Sequence, residues 1–303
     1  MRSFLSLAFV LTAGVAQAEA PRVVVDIAPL HSLVAQVMEG VGAPTLLVEP
    51  TESVHHYALR PSQAAGLEAA DAVFWIGHAL TPWLEAPLDS LAGDALRVEM
   101  LDAPGTRVLD VRESAEEGGH DHDHSHDHGP EGIDPHAWLD PANGLVWLAQ
   151  IAENLAEIDP EHAEAYRSNA AAAAQEMSGL KADLEARLSV AADAPYLSLH
   201  DAFQYFDTGF GLAYAGSISA SDAEAPSAAQ LSEARHLLEH EGVVCVFAEP
   251  QQSTRRIEVV TEGTDVRIGV LDPVGADVQV GPALYATVLG NLADSFAECL
   301  TGK

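Results

Sequence analysis

Between Gly118 and Pro130 the chain reads GGHDHDHSHDHGP, which places five histidines, His120, His122, His124, His126 and His128, within nine residues. Imidazole nitrogens interleaved with carboxylate oxygens form a dense set of donors for a divalent transition metal. The run has no apolar residue to bury and is bracketed by glycine and proline, so it reads as a mobile metal-binding tract, loop 116–132, and not as packed structure. Being internal and interleaved with Asp, it is unlike an expression tag.

The chain holds further chemistry-bearing residues at isolated positions. His55 and His56 follow one strand-like run, His136 sits in the turn DPHAWLDP, His200 closes the run YLSLH, and Asp272 closes VRIGVLD. In open α/β sheets ligands bind beyond the carboxyl ends of strands. Each residue taken alone is a satisfied polar group; their shared placement is what points to one site. His31, His78 and His162 read as ordinary polar residues. A rival constellation is His236, Glu239 and His240, which matches the H-x-x-E-H pattern of a zinc metallopeptidase. On that helix Leu231, Ala234 and Leu238 mark the buried face, and the histidine pair shares the opposite one, which expects a solvated surface.

The elements that must position these residues alternate. Runs 22–27, 44–49, 71–77 and 106–111 read as strands, with helical stretches at 31–38 and 62–70, giving a βα series. After the His-rich run, Asp140-Pro141 opens a helix over about 144–156, followed by an Ala-rich helix over about 160–190 that expects a rigid connector. Strand-like runs resume at 195–200, 211–218, 243–249 and 266–272, and a last helix spans about 282–300. The expectation is an α/β protein with residues 1–18 as an export signal, 19–143 as an N-terminal lobe, 144–190 as a helical connector and 191–303 as a C-terminal lobe.

Composition sets the bounds. The 303 residues exceed the usual size of a single core. A net charge of −32, with 14 Lys and Arg, leaves no basic footprint for nucleic acid or anionic lipid. Arg2, the apolar stretch Phe4–Val15 and Ala16-Gln17-Ala18 form the pattern of a secretory signal, so the mature chain is expected to start at Glu19, soluble and exported. The two cysteines, Cys245 and Cys299, read as one disulfide in an oxidising compartment, against the alternative of two buried thiols.

The motifs HHYALRPSQ, DPHAWLDP, SLHDAFQYF, FAEPQ and LDPVG, in this order, resemble the ZnuA-type zinc-binding proteins of bacterial metal-uptake ABC transporters. The likeness covers essentially the whole mature chain, the His-rich insertion included. It implies two α/β lobes joined by a long rigid helix, with one metal ion held in the cleft between them by His55, His136 and His200. Asp272 matches the carboxylate that approaches the metal from the second lobe, and Cys245 with Cys299 matches the family disulfide. Where some relatives carry a ligating Glu immediately before the first histidine, this chain has Val54, so the fourth ligand is Asp272 or water. His56 is held as an alternative ligand or a residue behind the ligands. Three imidazoles suit zinc better than manganese, while copper is not excluded by ligand type. The implied activity is capture of Zn2+ in the periplasm and its delivery to an ABC transporter permease by a monomer that performs no chemistry on the ion. Two other functions remain alongside it: the metallopeptidase, and a stand-alone periplasmic metal buffer.

Overall fold

The computed structural model describes residues 19–112, 132–219, 226–252 and 255–302. Residues 1–18, expected as an export signal, and the five histidines of the His-rich run therefore lie outside the described residues.

Two four-stranded parallel sheets organise the chain. In the first, β1 (Val23–Val25), β2 (Thr45–Leu46), β3 (Ala72–Trp75) and β4 (Leu96–Glu99) are ordered β2-β1-β3-β4. In the second, β5 (Tyr196–His200), β6 (Tyr214–Ser219), β7 (Cys245–Ala248) and β8 (Arg267–Val270) are ordered β6-β5-β7-β8. The central strands VVV, AVFW, YLSLH and CVFA are buried along their whole length, as parallel strands covered by helices on both faces must be. The order places β1 and β3 in the middle of one sheet and β5 and β7 in the middle of the other, so the chain leaves each central pair on the same side.

Helices α1 (Ala28–Val37), α2 (Pro61–Glu68) and α3 (Pro82–Leu91) connect the first sheet. Each begins with proline in its first turn, where a missing N–H costs nothing. Next come α4 (Pro141–Ile158) and α5 (Ala163–Leu188), the latter 26 residues long and the connector between the lobes. The second sheet is linked by α6 (Gln204–Phe210), α7 (Ala228–His240) and α8 (Arg255–Thr261), and α9 (Leu284–Thr301) ends the fold. Asp140 caps α4 by accepting from the Ala142 N–H at 2.8 Å, and Ser227 with Gln230 forms a capping box on α7.

The lobes are fastened to each other. Ser32 Oγ on α1 donates to Pro282 O and accepts from the Tyr285 N–H, while Gln36 donates to the same Pro282 carbonyl. Gly144 is placed so that a Cβ would stand 2.8 Å from the Tyr285 hydroxyl, so α4 and α9 can approach this closely only because position 144 has no side chain. Cys245 on β7 and Cys299 on α9 form the disulfide. Among the described residues no helix is long and apolar enough to cross a membrane.

Two readings of the elements need correction. The run 106–111 is not the fourth strand: it contributes only a bridge from Asp110 to Ile133, and the edge strand is Leu96–Glu99. The reason is environmental. Val108 and Val111 are 40% and 50% exposed, so β-branched residues there mark the neck of the loop and not a sheet interior. Helices α3, α6 and α8 also went unread; α3 carries Pro87 inside it, and α6 and α8 are only two turns long.

Candidate metal centre

His55 in the loop between β2 and α2, His136 at the start of a 3-10 turn and His200 at the end of the central strand β5 come together, with one ring nitrogen from each lying within 4.8 Å of the others. Ring centroids are 5.5 Å apart for His55 and His136, 6.2 Å for His55 and His200, and 5.3 Å for His136 and His200.

Each histidine is held by its local sequence. His55 lies between β2 and α2, where Trp83 Nε1 donates to the Val54 carbonyl at 2.9 Å and Gln63 fastens the following turn by donating to Leu47 O and accepting from the Arg60 N–H. His136 opens a short 3-10 turn, Ala137–Leu139. That turn is anchored across the lobes: Trp138 Nε1 donates to Pro273 O at 2.8 Å, and the Tyr285 hydroxyl donates to Trp138 O at 2.6 Å. His200 is the last residue of β5, the centre of the second sheet.

Behind the two buried imidazoles stand carboxylates. Asp134 Oδ1 lies 2.8 Å from His136 Nδ1 and also accepts the His136 N–H; Glu249 Oε1 lies 2.6 Å from His200 Nδ1. A carboxylate only accepts, so in each ring the Nδ1–H donates and the lone pair is placed on Nε2. These two Nε2 atoms are 3.4 Å apart. Two imidazole nitrogens bound at about 2.0–2.1 Å to a tetrahedral zinc ion would be separated by about 3.3–3.4 Å. Burial pushes Asp134 up to about 7, against the downward pull of the His136 N–H and of Arg112. A dication bound to His136 would favour its ionised form.

The cavity around the triad is also lined by Glu52, Ser53, Val54, Trp138, Glu249, Gln251, Gln252, Pro273 and Val274. Asp272 stands outside the three-nitrogen group and outside this lining. Its carboxylate accepts from the N–H groups of Val274, Gly275 and Ala276 and from Gln251 Nε2, which makes it the residue that fixes the turn after β8. His56 is exposed and does not line the cavity. His78 pairs with Glu85, and His31 bonds Pro44 O, both away from the triad. His236 and His240 stack at 4.3 Å on an exposed face of α7, and Glu239 pairs with Arg235, so the H-x-x-E-H residues form surface contacts.

Two residues that matter to this geometry were not singled out by sequence reasoning, Asp134 and Glu249. Both had a signal. Asp134 lies two residues before His136, and Glu249 follows directly on β7, whose parallel register pairs Ser198 with Phe247 and so carries Glu249 alongside His200.

The family described as ZnuA, zinc-uptake complex component A, periplasmic, matches residues 23–299. The chain belongs to the ZnuA family. The high-affinity zinc uptake system protein ZnuA of Brucella suis is 39% identical over 305 residues, covering 92% of this chain and 91% of that protein. The protein of the same name from Paracoccus denitrificans is 40% identical over 304 residues, covering 94% and 93%. A crystal structure of ZnuA superposes with a TM-score of 0.77 at 23% identity, covering 92% of this chain and 99% of the other. The periplasmic zinc-binding protein TroA of Treponema pallidum superposes at 0.79 with 21% identity, covering 93% and 99%. At these identities the superpositions establish the shared two-lobed fold, and the ZnuA relatives carry the family.

Proposed function

We propose that this chain captures Zn2+ in the periplasm at a site made by His55, His136 and His200 and delivers it to an ABC transporter permease. The observation that carries the reading is the pair of Nε2 atoms 3.4 Å apart, each on a ring whose Nδ1 is engaged by a buried carboxylate. Two lone pairs facing each other at that distance repel unless a cation lies between them, and the separation fits zinc. The site is preorganised: Trp83, Trp138 and β5 each fix one ligand before the ion arrives, so little ordering entropy opposes binding. His55 comes from one lobe's loop and His200 from the other lobe's sheet, so a partner that shifts the lobes changes the coordination and can release the ion. The protein performs no chemistry on its cargo.

The His-rich run 116–132 supports an accessory role. Its entry is held against the site, because Arg112 pairs with Asp201, the neighbour of His200, and with Asp207, while Asp134 at its exit backs His136. Ions collected by His120, His122, His124, His126 and His128 would be released close to the cleft. The monomer remains the proposed state, and residues 1–18 the proposed export signal.

Competitive zinc titration against a chromophoric chelator, in a variant lacking residues 116–132, tests the site. His55→Ala, His136→Ala and His200→Ala should each weaken binding by more than the about 10–100-fold that follows loss of a residue behind a ligand. His56→Ala should stay near wild type. Near-native affinity in His200→Ala would overturn the three-histidine site.

A further inference from the structure

We propose that Glu52 governs the fourth coordination position of the ion, as acceptor for a water molecule bound to the metal. The inference rests on the three-imidazole reading above. Zinc held by three imidazoles keeps one tetrahedral position open. Two carboxylates line the described cavity, Glu249 and Glu52. Glu249 is engaged at His200 Nδ1. Glu52 is different: its Oε1 accepts from Arg60 at 2.8 Å, while its Oε2, on a side chain 35% exposed as a whole, is shut off from solvent and has no hydrogen-bond partner among the described residues. An acceptor oxygen shut off from solvent without a partner is unfavourable, so this oxygen calls for a donor.

Arg60 explains why that donor is not the metal itself. By holding Oε1 it fixes the carboxylate in the cavity lining, outside the group of three ring nitrogens. Val54, between Glu52 and His55, is buried and offers no oxygen from its side chain. A metal-bound water spans the remaining gap and has two acidic protons to donate. Glu52 Oε2 takes one. For the other, Gln251 is placed across the lobes: it spends its amide N–H groups on Pro50 O and Asp272 Oδ1, and its Oε1 is buried beside the same cavity without a partner among the described residues. Asp272 thus acts on the site at one remove, by orienting Gln251. The fourth ligand is then exchangeable, which suits an ion that must be handed to another protein.

The test uses the full chain loaded with Zn2+ or Co2+, in the variants Glu52→Ala, Glu52→Gln and Asp272→Asn, with His136→Ala as control. Glu52→Ala should weaken zinc binding by about 10–100-fold. Glu52→Gln keeps an acceptor but loses the charge, so its loss should be smaller. A second readout separates this role from mere support of the fold. Azide replaces bound water on Co2+ and shifts its visible spectrum, and the Glu52 carboxylate repels the anion. Both Glu52 variants should therefore bind azide at lower concentration than wild type. Wild-type zinc affinity in Glu52→Ala, unchanged azide binding in both variants, or these effects appearing only in Asp272→Asn would each overturn the proposal. Tight zinc binding in His136→Ala would instead overturn the three-imidazole reading beneath it.

Discussion

Replacing Glu249 by Gln should lower zinc affinity about 10–100-fold while leaving the fold intact. The carboxylate lies 2.6 Å from His200 Nδ1, and its side chain is 3% exposed against 5% for His200. An ion bound at Nε2 would sit about 6–7 Å from that oxygen, given a metal–nitrogen bond of about 2 Å. A dication and a carboxylate at that separation attract by about 5 kcal/mol at an effective dielectric of 20, and by little more than about 1 kcal/mol in water. A hundredfold loss is about 2.7 kcal/mol and falls between those limits. Gln can still accept the Nδ1–H through its amide oxygen, so the variant isolates charge from orientation; Glu249→Ala removes both and should lose more. Because a neutral amide is easier to bury than a carboxylate, the metal-free protein should melt no lower than wild type. Chelator competition near neutral pH, paired with thermal melts of metal-free protein, makes the measurement. Affinity within about twofold of wild type in Glu249→Gln, below the range expected for such residues, would refute the argument that this carboxylate strengthens the His200–metal bond. Weaker binding matched by a lower melting temperature would refute it too.

Three other outcomes are expected. Deleting residues 116–132 should reduce the number of zinc ions bound at saturation and leave one tight site, since donors without a core must be ordered as they bind; calorimetry on both forms would show it. Burial raises Asp26 to about 7 from the usual 3.8, so the folded state keeps a proton that the unfolded chain releases. Its contribution is therefore fully present below about pH 4 and is lost as pH rises to about 7, by up to about 4 kcal/mol; denaturant unfolding across that window should show the slope, and Asp26→Asn should make it shallower, the buried Asp134 and Asp207 contributing in the same window. Replacing Cys245 and Cys299 by Ser opens a loop of sequence separation 54 and should cost about 4 kcal/mol in the chain-entropy model, read as a lower denaturation midpoint, with a steeper slope because the unfolded chain is less compact.

The triad was legible because His55 follows a strand-like run and His200 ends one, positions that parallel sheets gather, while His136 stands in the turn DPHAWLDP. His200 ends β5 outright, and DPH carries its own carboxylate. What was not legible depends on pairing between distant segments. The exposed edge strand Leu96–Glu99 carries Arg97 and Glu99, and without its neighbour β3 it has no signature strong enough to outrank TRVLDV. The orientation of Asp272 is likewise a tertiary matter. A carboxylate at a strand end can face a ligand or fold back onto the next three backbone N–H groups, and the sequence LDPVGA is compatible with both. The choice of His55 over His56 rests on its spacing to Tyr57 and LRP, and in the structure His55 is the one that joins the other two histidines.

The position of α9 has a consequence for the timing of folding. This last helix packs against α1, α5 and β8, and its Cys299 is bonded to β7. A ribosome therefore releases the segment that joins the first helix to the final sheet only after strands β1 to β8 have emerged. Until then α1 lacks a neighbour, and the cross-lobe bonds from Ser32 and Gln36 to Pro282, just ahead of α9, cannot form. Contacts of such sequence separation close late. The bonds that tie α1 to the second sheet are thus among the last contacts to become available as the chain folds.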